Sequence, residues 1–406
     1  MSTPTTGQRL ARIRRKAQLT QEALAEASGV SVDTIRKLEQ GVRHSARLDT
    51  LHALARPLGV ATTALLGDAS EAAARREPDH RPLSLAAIRR SLTPARGLGV
   101  PITVAADGPP PTVDVLRGRV GAADAAYHRG DYATALAAAP RLLDDARRTA
   151  EATGAPLAYA TLAQARYLAT ELLIQLRAGD LAYAAVSGAL DAAQTAGDPV
   201  LGASTVKGTS WLLLRQGRLA EAEQVAIATA DEIEPRVRRA QPAELAVWGW
   251  LLLAGAAAAS RDNRPRDAAA LLDTASAAAA ALADRPVDGL AILGGFRSAR
   301  VEMMRVETAA VAGEPGRVLE LAERVPVGQA QPTSWQRHRL DVAWAHAERR
   351  EYGEATGVLL ELRDRAPAWL RHQRYARRIV EGIAAGRRRA MSAELAGLAE
   401  LVGCDL

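Results

Sequence analysis

The side chains of this chain that are best placed for recognition chemistry lie on a short predicted helix, VDTIRKLE, at residues 32–39. Ile35 and Leu38 are spaced i, i+3 and should bury one side of that helix. The other side chains are free to meet another molecule, and they are Val32, Asp33, Thr34, Arg36 and Lys37. Methyl, hydroxyl, carboxylate and cationic groups match the donors, acceptors and methyl groups of the DNA major groove. The pattern therefore indicates recognition of base edges and phosphates.

The flanking residues predict the elements that must position this helix. Thr20 can cap a helix that begins at Gln21, and Gly29 permits the sharp turn that ends it. Ser31 then caps the helix that carries the exposed side chains. Two short helices joined by a tight turn present the second helix to the major groove.

The stretch from Gln8 to Gly67 resembles the XRE family, the lambda-repressor-like regulators. The residues that carry the resemblance are Leu10, Ile13, Arg14, Leu19, Thr20, Gln21, Leu24, Ala25, Gly29, Val30, Ser31, Ile35, Leu38, Glu39, Gly41, Leu51, Leu54, Ala55, Leu58, Gly59, Val60, Leu65 and Leu66. The resemblance implies a five-helix head over 1–67 that binds a double-stranded DNA operator. The alternative is a vestigial fold that serves only dimerisation.

The resemblance also implies roles for single residues. Gln21 would contact phosphate and brace the recognition helix, while Arg14 and Glu39 would form a buried structural salt bridge. The DNA-contacting set is expected to be Gln21, Ser31, Val32, Asp33, Thr34, Arg36, Lys37, Arg43 and His44. Arg43 and His44 would approach the DNA backbone or minor groove, unless they are ordinary loop residues.

The chemistry of the predicted reading residues differs from one to the next. Val32 can meet a thymine methyl, Thr34 either partner of a base pair, and Lys37 a guanine edge or a phosphate. Asp33 has two interpretations: it accepts a hydrogen bond from a cytosine amine, or it supports the helix start and repels phosphate. Pro57 lies inside the predicted fourth helix and should kink it or end it early.

Composition and charge agree with a basic head on a near-neutral body. Residues 1–67 carry ten Lys or Arg against five Asp or Glu, which suits binding to DNA. A second basic cluster, 371–389, is interpreted as a solvated helix face, with a DNA contact or an interface as alternatives. The excess of Arg over Lys and the abundant Ala suggest a GC-rich bacterial genome. A single cysteine, Cys404, fits a reducing cytoplasm.

Several classes of function lack sequence support. There is no phosphate-binding glycine loop, zinc motif or nucleophile motif, so neither an enzyme nor a cofactor or metal is predicted. The N-terminus shows no signal-peptide pattern, and we find no apolar run long enough to span a bilayer. We therefore expect a cytoplasmic protein.

Residues 68–112 should form a linker with one short helix, LSLAAIRRSL, packed on the body, so that the head is tethered rather than fused. Residues 113–406 should be helical. Recurrent polar turns predict six antiparallel helix pairs in a right-handed solenoid with further helices at 366–389 and 392–402, and they resemble those of tetratricopeptide repeats. The fold class is therefore all-α.

XRE heads on such bodies resemble the peptide-sensing regulators of Gram-positive bacteria and a set of actinobacterial regulators of development and specialised metabolism. The peptide sensors commonly clamp their ligand with asparagines, and this chain has only Asn263, in a predicted turn. Other polar side chains could take their place, without any being singled out by spacing: Gln164, Gln175, Arg166, Arg215, Arg300 or Arg305.

Tryptophans offer a second hint about the concave face. Trp211, Trp248, Trp250, Trp335 and Trp344 all fall in the first helix of a predicted pair. They either line a pocket for an apolar or flat ligand or, the favoured interpretation, fill gaps in an alanine-rich core. Trp248 and Trp250 cannot share one helix face, so at most one lines the groove, and Trp248 is the candidate.

These observations lead to one hypothesis and two rivals. The hypothesis is a cytoplasmic transcription regulator whose body forms a homodimer and senses a peptide or small molecule. The first rival is a solenoid that binds a partner protein and responds to no small ligand. The second is a repressor or antitoxin of phage or plasmid type, which the large body makes less fitting.

Overall fold

The computed structural model describes residues 5–43, 46, 48–66, 85–94, 108–283, 285–287, 295–326, 328, 331–386 and 391–404. Within these ranges every regular element is an α-helix, which confirms the all-α prediction. The sequence prediction for His44 lies outside the described residues.

The head consists of five helices around a small core. They are α1 (Thr6–Lys16), α2 (Gln21–Ser28), α3 (Val32–Glu39), α4 (Leu48–Leu58) and α5 (Thr63–Leu66). The predicted caps are present: Thr20 accepts from the amide of Ala23, and Ser31 accepts from that of Thr34. Helix α4 ends one residue after Pro57, in line with the expected early end. The core of the head includes Leu10, Leu24, Ile35, Leu38, Leu51 and Leu54.

Helix α1 packs closely against the end of α3 at Gly7. A Cβ atom at this position would lie 1.8 Å from the carbonyl oxygen of Leu38, so only glycine fits. The close approach fixes the position of α3 relative to α1. On the other side of the head, the buried Arg9 donates to the carbonyl oxygen of Leu65 at 3.1 Å and closes the end of α5.

A short helix, α6 (Ala86–Leu92), lies between head and body. It packs on the body, as predicted: Arg89 pairs with Asp180 at 3.2 Å, and the hydroxyl of Ser91 donates to Asp144 at 3.1 Å. Ile88 is buried in the same core as the first body helices. Residues 68–84 and 95–107 of the predicted linker lie outside the described residues.

Within its described residues the body contains six helix pairs, the number that the turn pattern predicted. In chain order the helices are α7 (Val113–His128), α8 (Tyr132–Thr153), α9 (Pro156–Gln175), α10 (Gly179–Ala196), α11 (Pro199–Gln216), α12 (Leu219–Glu232), α13 (Pro242–Arg261), α14 (Pro265–Leu282), α15 (Ser298–Ala312), α16 (Pro315–Ala322), α17 (Pro332–Glu348) and α18 (Tyr352–Arg365).

The first helix of each pair packs on the first helix of the next, from α7 through α9, α11, α13 and α15 to α17. Five of the second helices, α8, α10, α12, α14 and α16, each pack between the first helix of their own pair and that of the next, and α18 packs on α17. This arrangement is that of a helical solenoid, in which each pair buries its apolar face against its neighbours.

The row of pairs curves back on itself. Nδ1 of His128, at the end of α7, lies 3.4 Å from the hydroxyl of Thr333 at the start of α17. The rings of Tyr132 and His372 are 5.7 Å apart. The first pair therefore meets the last ones, and the first helices enclose an inner space.

Three more helices follow the pairs, α19 (Pro367–Arg371), α20 (Arg374–Gly386) and α21 (Ala393–Val402). They correspond to the further helices predicted at 366–389 and 392–402, with the first region divided at His372. Helix α20 packs on α17 and so continues the inner layer.

One helix corrects the prediction about apolar runs. Helix α13 is long and apolar enough to cross a membrane, but 83% of the window that qualifies is buried inside the protein. A helix surrounded by other helices is apolar on all sides, so burial in the core explains its composition.

The head is docked on the body, which contradicts the predicted tether. The backbone amide of Thr63 donates to the Asp262 carboxylate at 2.9 Å, and the side-chain amide of Asn263 donates to the carbonyl oxygen of Val60 at 3.2 Å. Arg56 donates to the carbonyl of Ala312. The sequence prediction failed here because these contacts join residues about two hundred positions apart, which no local pattern reveals.

Candidate nucleic-acid interface

A buried charge network braces helix α3 from behind. Arg14 donates through Nε and Nη2 to the two Glu39 oxygens, each at 2.7 Å, and through Nη1 to the Leu19 carbonyl at 2.8 Å. Nε2 of Gln21 donates to Glu39 at 2.8 Å. The structure thus brings together the three residues to which the resemblance gave a bracing role.

The network shifts the pKa values of both charged partners in the direction of the ion pair. Burial raises the pKa of Glu39, but hydrogen bonds from Arg14 and Gln21 outweigh it and leave the pKa lowered. The hydrogen bond to Glu39 raises the pKa of Arg14. The pair is therefore charged at neutral pH and fixes the end of α3 to α1 and α2.

The opposite face of α3 is open to solvent. Asp33, Arg36 and Lys37 are exposed, whereas Val32 and Thr34 are half-buried. The Thr34 hydroxyl lies 2.9 Å from that of Ser31, so the cap residue also holds one of the candidate reading side chains. A rigid helix with an exposed polar face is the geometry required of a recognition helix.

Lys37 and Asp33 form an ion pair of 2.7 Å across one turn of α3. Both side chains are more than half exposed, at 52% and 61%, so the pair contributes little to stability. The ammonium can therefore leave Asp33 for a DNA group at small cost. Arg43 is exposed after the Gly41 turn, and its amide donates to the Lys37 carbonyl at 2.9 Å.

Replacing Asp33 by asparagine should separate the two interpretations of this residue. If the carboxylate repels phosphate and occupies Lys37, the variant should bind DNA of any sequence several-fold more tightly at low salt, because a like charge is removed. Fluorescence anisotropy over a salt series measures this change, with the exposed Glu26→Gln as the matched control. A loss of affinity confined to sites with one particular C·G pair would instead assign Asp33 to a cytosine amine.

Residues 6–66 match the family model of a helix-turn-helix domain. The chain carries an N-terminal helix-turn-helix domain. This fold suggests a DNA-binding regulator, and the match covers the braced helix and its exposed face. No curated protein and no solved structure matches the chain.

The inner face of the body collects part of the predicted ligand set. Nζ of Lys207 lies 5.0 Å from the Trp250 ring and 5.9 Å from that of Trp211, and the Arg300 guanidinium lies 5.4 Å from Trp250. Trp250, not Trp248, thus takes the place beside the cations. Both are buried in one core cluster, but positions two apart on a helix point to different sides.

The other predicted groove residues lie elsewhere on the inner helices. Trp335 stacks near His338, with ring centroids 5.3 Å apart, and near Arg339. Trp344 is half-buried and packs against two core clusters. Arg215, at the end of α11, is exposed. The favoured interpretation of the tryptophans as core residues holds for Trp248.

Sequence reasoning missed a buried ion pair at the base of this group. Nζ of Lys207 lies 3.7 Å from Glu171 and 3.1 Å from the Tyr167 hydroxyl. Burial raises the pKa of Glu171 to about 7, against the opposing effect of Lys207. The available signal was a single carboxylate in the otherwise apolar run ATELLIQL of α9.

The side of the head that faces the body carries a buried histidine. Nδ1 of His52 lies 2.9 Å from the carbonyl oxygen of Arg261, which also accepts from the Thr62 hydroxyl at 2.8 Å. Burial lowers the pKa of His52, although the hydrogen bond to Arg261 opposes this effect. The docked head therefore favours neutral His52.

Docking of the head should weaken as the pH falls. An undocked His52 takes up a proton as the pH passes below about 6.5, whereas the docked residue, with its lowered pKa, resists protonation, so acid favours release. Hydrogen exchange at the Thr62 and Thr63 amides, corrected for intrinsic rates, should be faster at pH 5.5 than at pH 7.5. His52→Asn should abolish the difference and His346→Asn should not; equal protection at both pH values would contradict the prediction.

Proposed function

We propose that this chain is a cytoplasmic, sequence-specific DNA-binding transcription regulator of XRE type, with no enzymatic activity. Its α3 enters the major groove of an operator, and its tetratricopeptide-like body forms a homodimer and senses a ligand. The observation that carries the proposal is the exposed polar face of α3, held from behind by Arg14, Gln21 and Glu39 within a helix-turn-helix domain. The family resemblance adds specialised metabolism or development as the regulated process.

The docked head supports a regulator in which body and head communicate. The contacts to the body come from α4, α5 and the loop between them, while α3 points to solvent. DNA can therefore reach α3 without displacing the head from the body. A change in the body's curvature would move the two heads of a dimer and alter their match to the operator half-sites.

The inner face of the body bears on the rival in which the body binds only a partner protein. That rival calls for a dry, apolar concave surface. The described inner helices instead place charged and aromatic side chains together, among them Lys207, Glu171, Trp250 and Arg300. These groups favour a polar small ligand over an apolar protein surface.

In vitro selection from a random DNA pool with the purified full chain tests the proposal. We expect an enriched pseudo-palindrome whose half-sites are about one helical turn, roughly 34 Å, apart or a multiple of that. Sedimentation should give a dimer at the concentration used. A pool that yields no motif at any salt concentration would contradict sequence-specific binding, and a monomer on a single half-site would contradict the dimer alone.

A further inference from the structure

Two arginines on the inner face of the body lack a carboxylate partner among the described residues. Arg215 lies at the end of α11 and Arg300 on α15, and neither forms an ion pair there. Nε of Arg300 and Nε of the neighbouring Arg337 are buried without a hydrogen-bond partner in the described part of the chain. Buried guanidinium groups normally have partners, so these point to a ligand that supplies them.

The two arginines face one common space. Burial, followed by the charges of Arg337 and Arg261, lowers the pKa of Arg215 to about 10. The same two neighbours lower the pKa of Arg300, after the larger effect of burial. The helices that carry these four arginines, α11, α13, α15 and α17, pack one on the next, so the four cations belong to one region of the inner face.

The carboxylates in this region do not compensate the arginines fully. Glu307 is taken by Arg261, at 2.6 Å, and its pKa falls to about 2 because the surrounding arginines outweigh burial. Asp341 lies 3.9 Å from Arg337, but burial raises the pKa of Asp341 to about 7. Positive charge therefore remains in excess at neutral pH.

Solvent reaches side chains of this region. Arg215 has an exposed side chain, although burial is the main cause of its lowered pKa. Asp49 of the head is likewise exposed, at 66% of its side chain, but burial raises its pKa and the neighbouring arginines lower it. Both side chains are thus open to solvent near the contact between head and body, where Gly217, two residues after Arg215, comes close to Leu48 of α4.

Asp49 is the carboxylate that the head contributes to this interior. It pairs with Arg378 on α20, and the charges of Arg378, Arg261 and Arg337 lower its pKa against the effect of burial. The free protein thus already holds one anion near the arginines, and that anion belongs to the DNA-binding head.

Aromatic rings hold the guanidinium groups in position. The guanidinium of Arg300 lies 5.4 Å from the ring centroid of Trp250. Those of Arg337 and Arg378 lie 4.7 Å and 5.6 Å from the ring centroid of Tyr375. Stacking on a ring restricts a guanidinium but leaves its N–H edge free to donate. The donors are therefore oriented before any ligand arrives.

We propose that this interior binds a small organic anion that carries carboxylate or phosphate groups, held by Arg215, Arg300 and Arg337. Guanidinium groups bind such oxygens through two parallel hydrogen bonds. The ligand and Asp49 compete for the same positive charge, so anion binding and head docking oppose each other. This proposal gives the chemical class of the ligand in the proposed sensing role and rests on that role, but its test requires no DNA.

Isothermal titration calorimetry of the full chain with citrate and with inorganic phosphate, at constant ionic strength set by chloride, tests the site. We expect saturable binding of at least one of them, at one site per chain, weakened tenfold or more in Arg215→Gln/Arg300→Gln. The matched control, Arg236→Gln/Arg239→Gln, removes two exposed arginines of the α12–α13 connection and should bind as the parent does. Absence of saturable binding by either anion, or equal loss in both variants, would overturn the proposal.

A second variant keeps the test valid if the double variant folds poorly. Asp49→Asn removes the internal competitor and should tighten binding of the same anion several-fold, whereas Glu26→Gln, also in the head, should leave it unchanged. Binding that stays the same or weakens in Asp49→Asn would overturn the competition. Because these titrations contain no DNA, a failed operator search would count against the proposed function without affecting this result.

Discussion

Replacing Glu39 by alanine is expected to unfold the head and abolish operator binding. The change leaves the Arg14 guanidinium, which is 11% exposed, without its carboxylate, and it removes the acceptor of the Gln21 amide. Breaking a buried pair from one side typically costs about 3–5 kcal/mol, because the remaining charge stays buried and unpaired. Such a loss is comparable to the whole stability of a small domain. Thermal unfolding followed by circular dichroism, together with hydrogen exchange in α1–α3, measures it.

Two controls separate the charge from the packing. Arg14→Met/Glu39→Leu removes both charges and fills the same space, so it should retain most of the stability. Acid provides the second control: because the pKa of Glu39 is lowered in the fold, its contribution is present above about pH 4.5 and is lost as the pH falls through the folded value. The Met/Leu variant should lack this component of acid sensitivity. A single variant as stable as the parent would contradict the bracing role.

The head could be predicted almost entirely from sequence because its determinants are local. The caps Thr20 and Ser31 and the turn at Gly29, with a φ of 70°, act within a few residues of the helices that they limit. The bracing contact from Arg14 to Glu39 came from the family resemblance, since nothing in the spacing of two residues 25 positions apart requires them to meet.

The number of helix pairs in the body was predictable for a similar reason. A chain that reverses after a helix often needs a residue with positive φ, and Gly130, Gly217 and Gly313 have φ values of 80°, 79° and 74°. Asn263 takes the same role at 58°. At two other turns the positive φ belongs to Arg177 and Arg350, at 58° and 62°.

The docking of the head and the inner charge cluster could not be predicted in this way. Both depend on the curvature of the row of pairs, which accumulates from small rotations between neighbours and brings His128 to Thr333. Because Trp248 and Trp250 are two positions apart on helix α13, the sequence shows that they point to different sides of it. Which of those sides faces inward depends on how α11 and α15 pack against α13. Glu171 and Lys207 were detectable as charges on apolar helices, though not as partners.

Removing Thr34 and Lys37 together should abolish sequence preference while the fold remains. Neither side chain belongs to the buried core, and the 2.9 Å contact of Thr34 with Ser31 and the Lys37–Asp33 pair are both near the surface. Each good contact to a base edge contributes roughly 1–3 kcal/mol of discrimination, so the Thr34→Ala/Lys37→Ala variant should bind the selected operator about 30-fold to 20,000-fold more weakly.

The salt dependence of the residual binding then distinguishes the two kinds of contact. If Lys37 reaches a phosphate, the log–log salt slope should fall by roughly 0.9, whereas a guanine contact should alter base preference with less effect on the slope. The control Thr195→Ala/Arg236→Ala removes the same hydroxyl and charge from exposed positions of the body and should leave affinity and specificity unchanged. Parent-like footprints for the double variant, with an intact circular dichroism spectrum, would mean that α3 does not read the operator. The braced head would then serve dimerisation, because its exposed face would remain available for contact with a second copy.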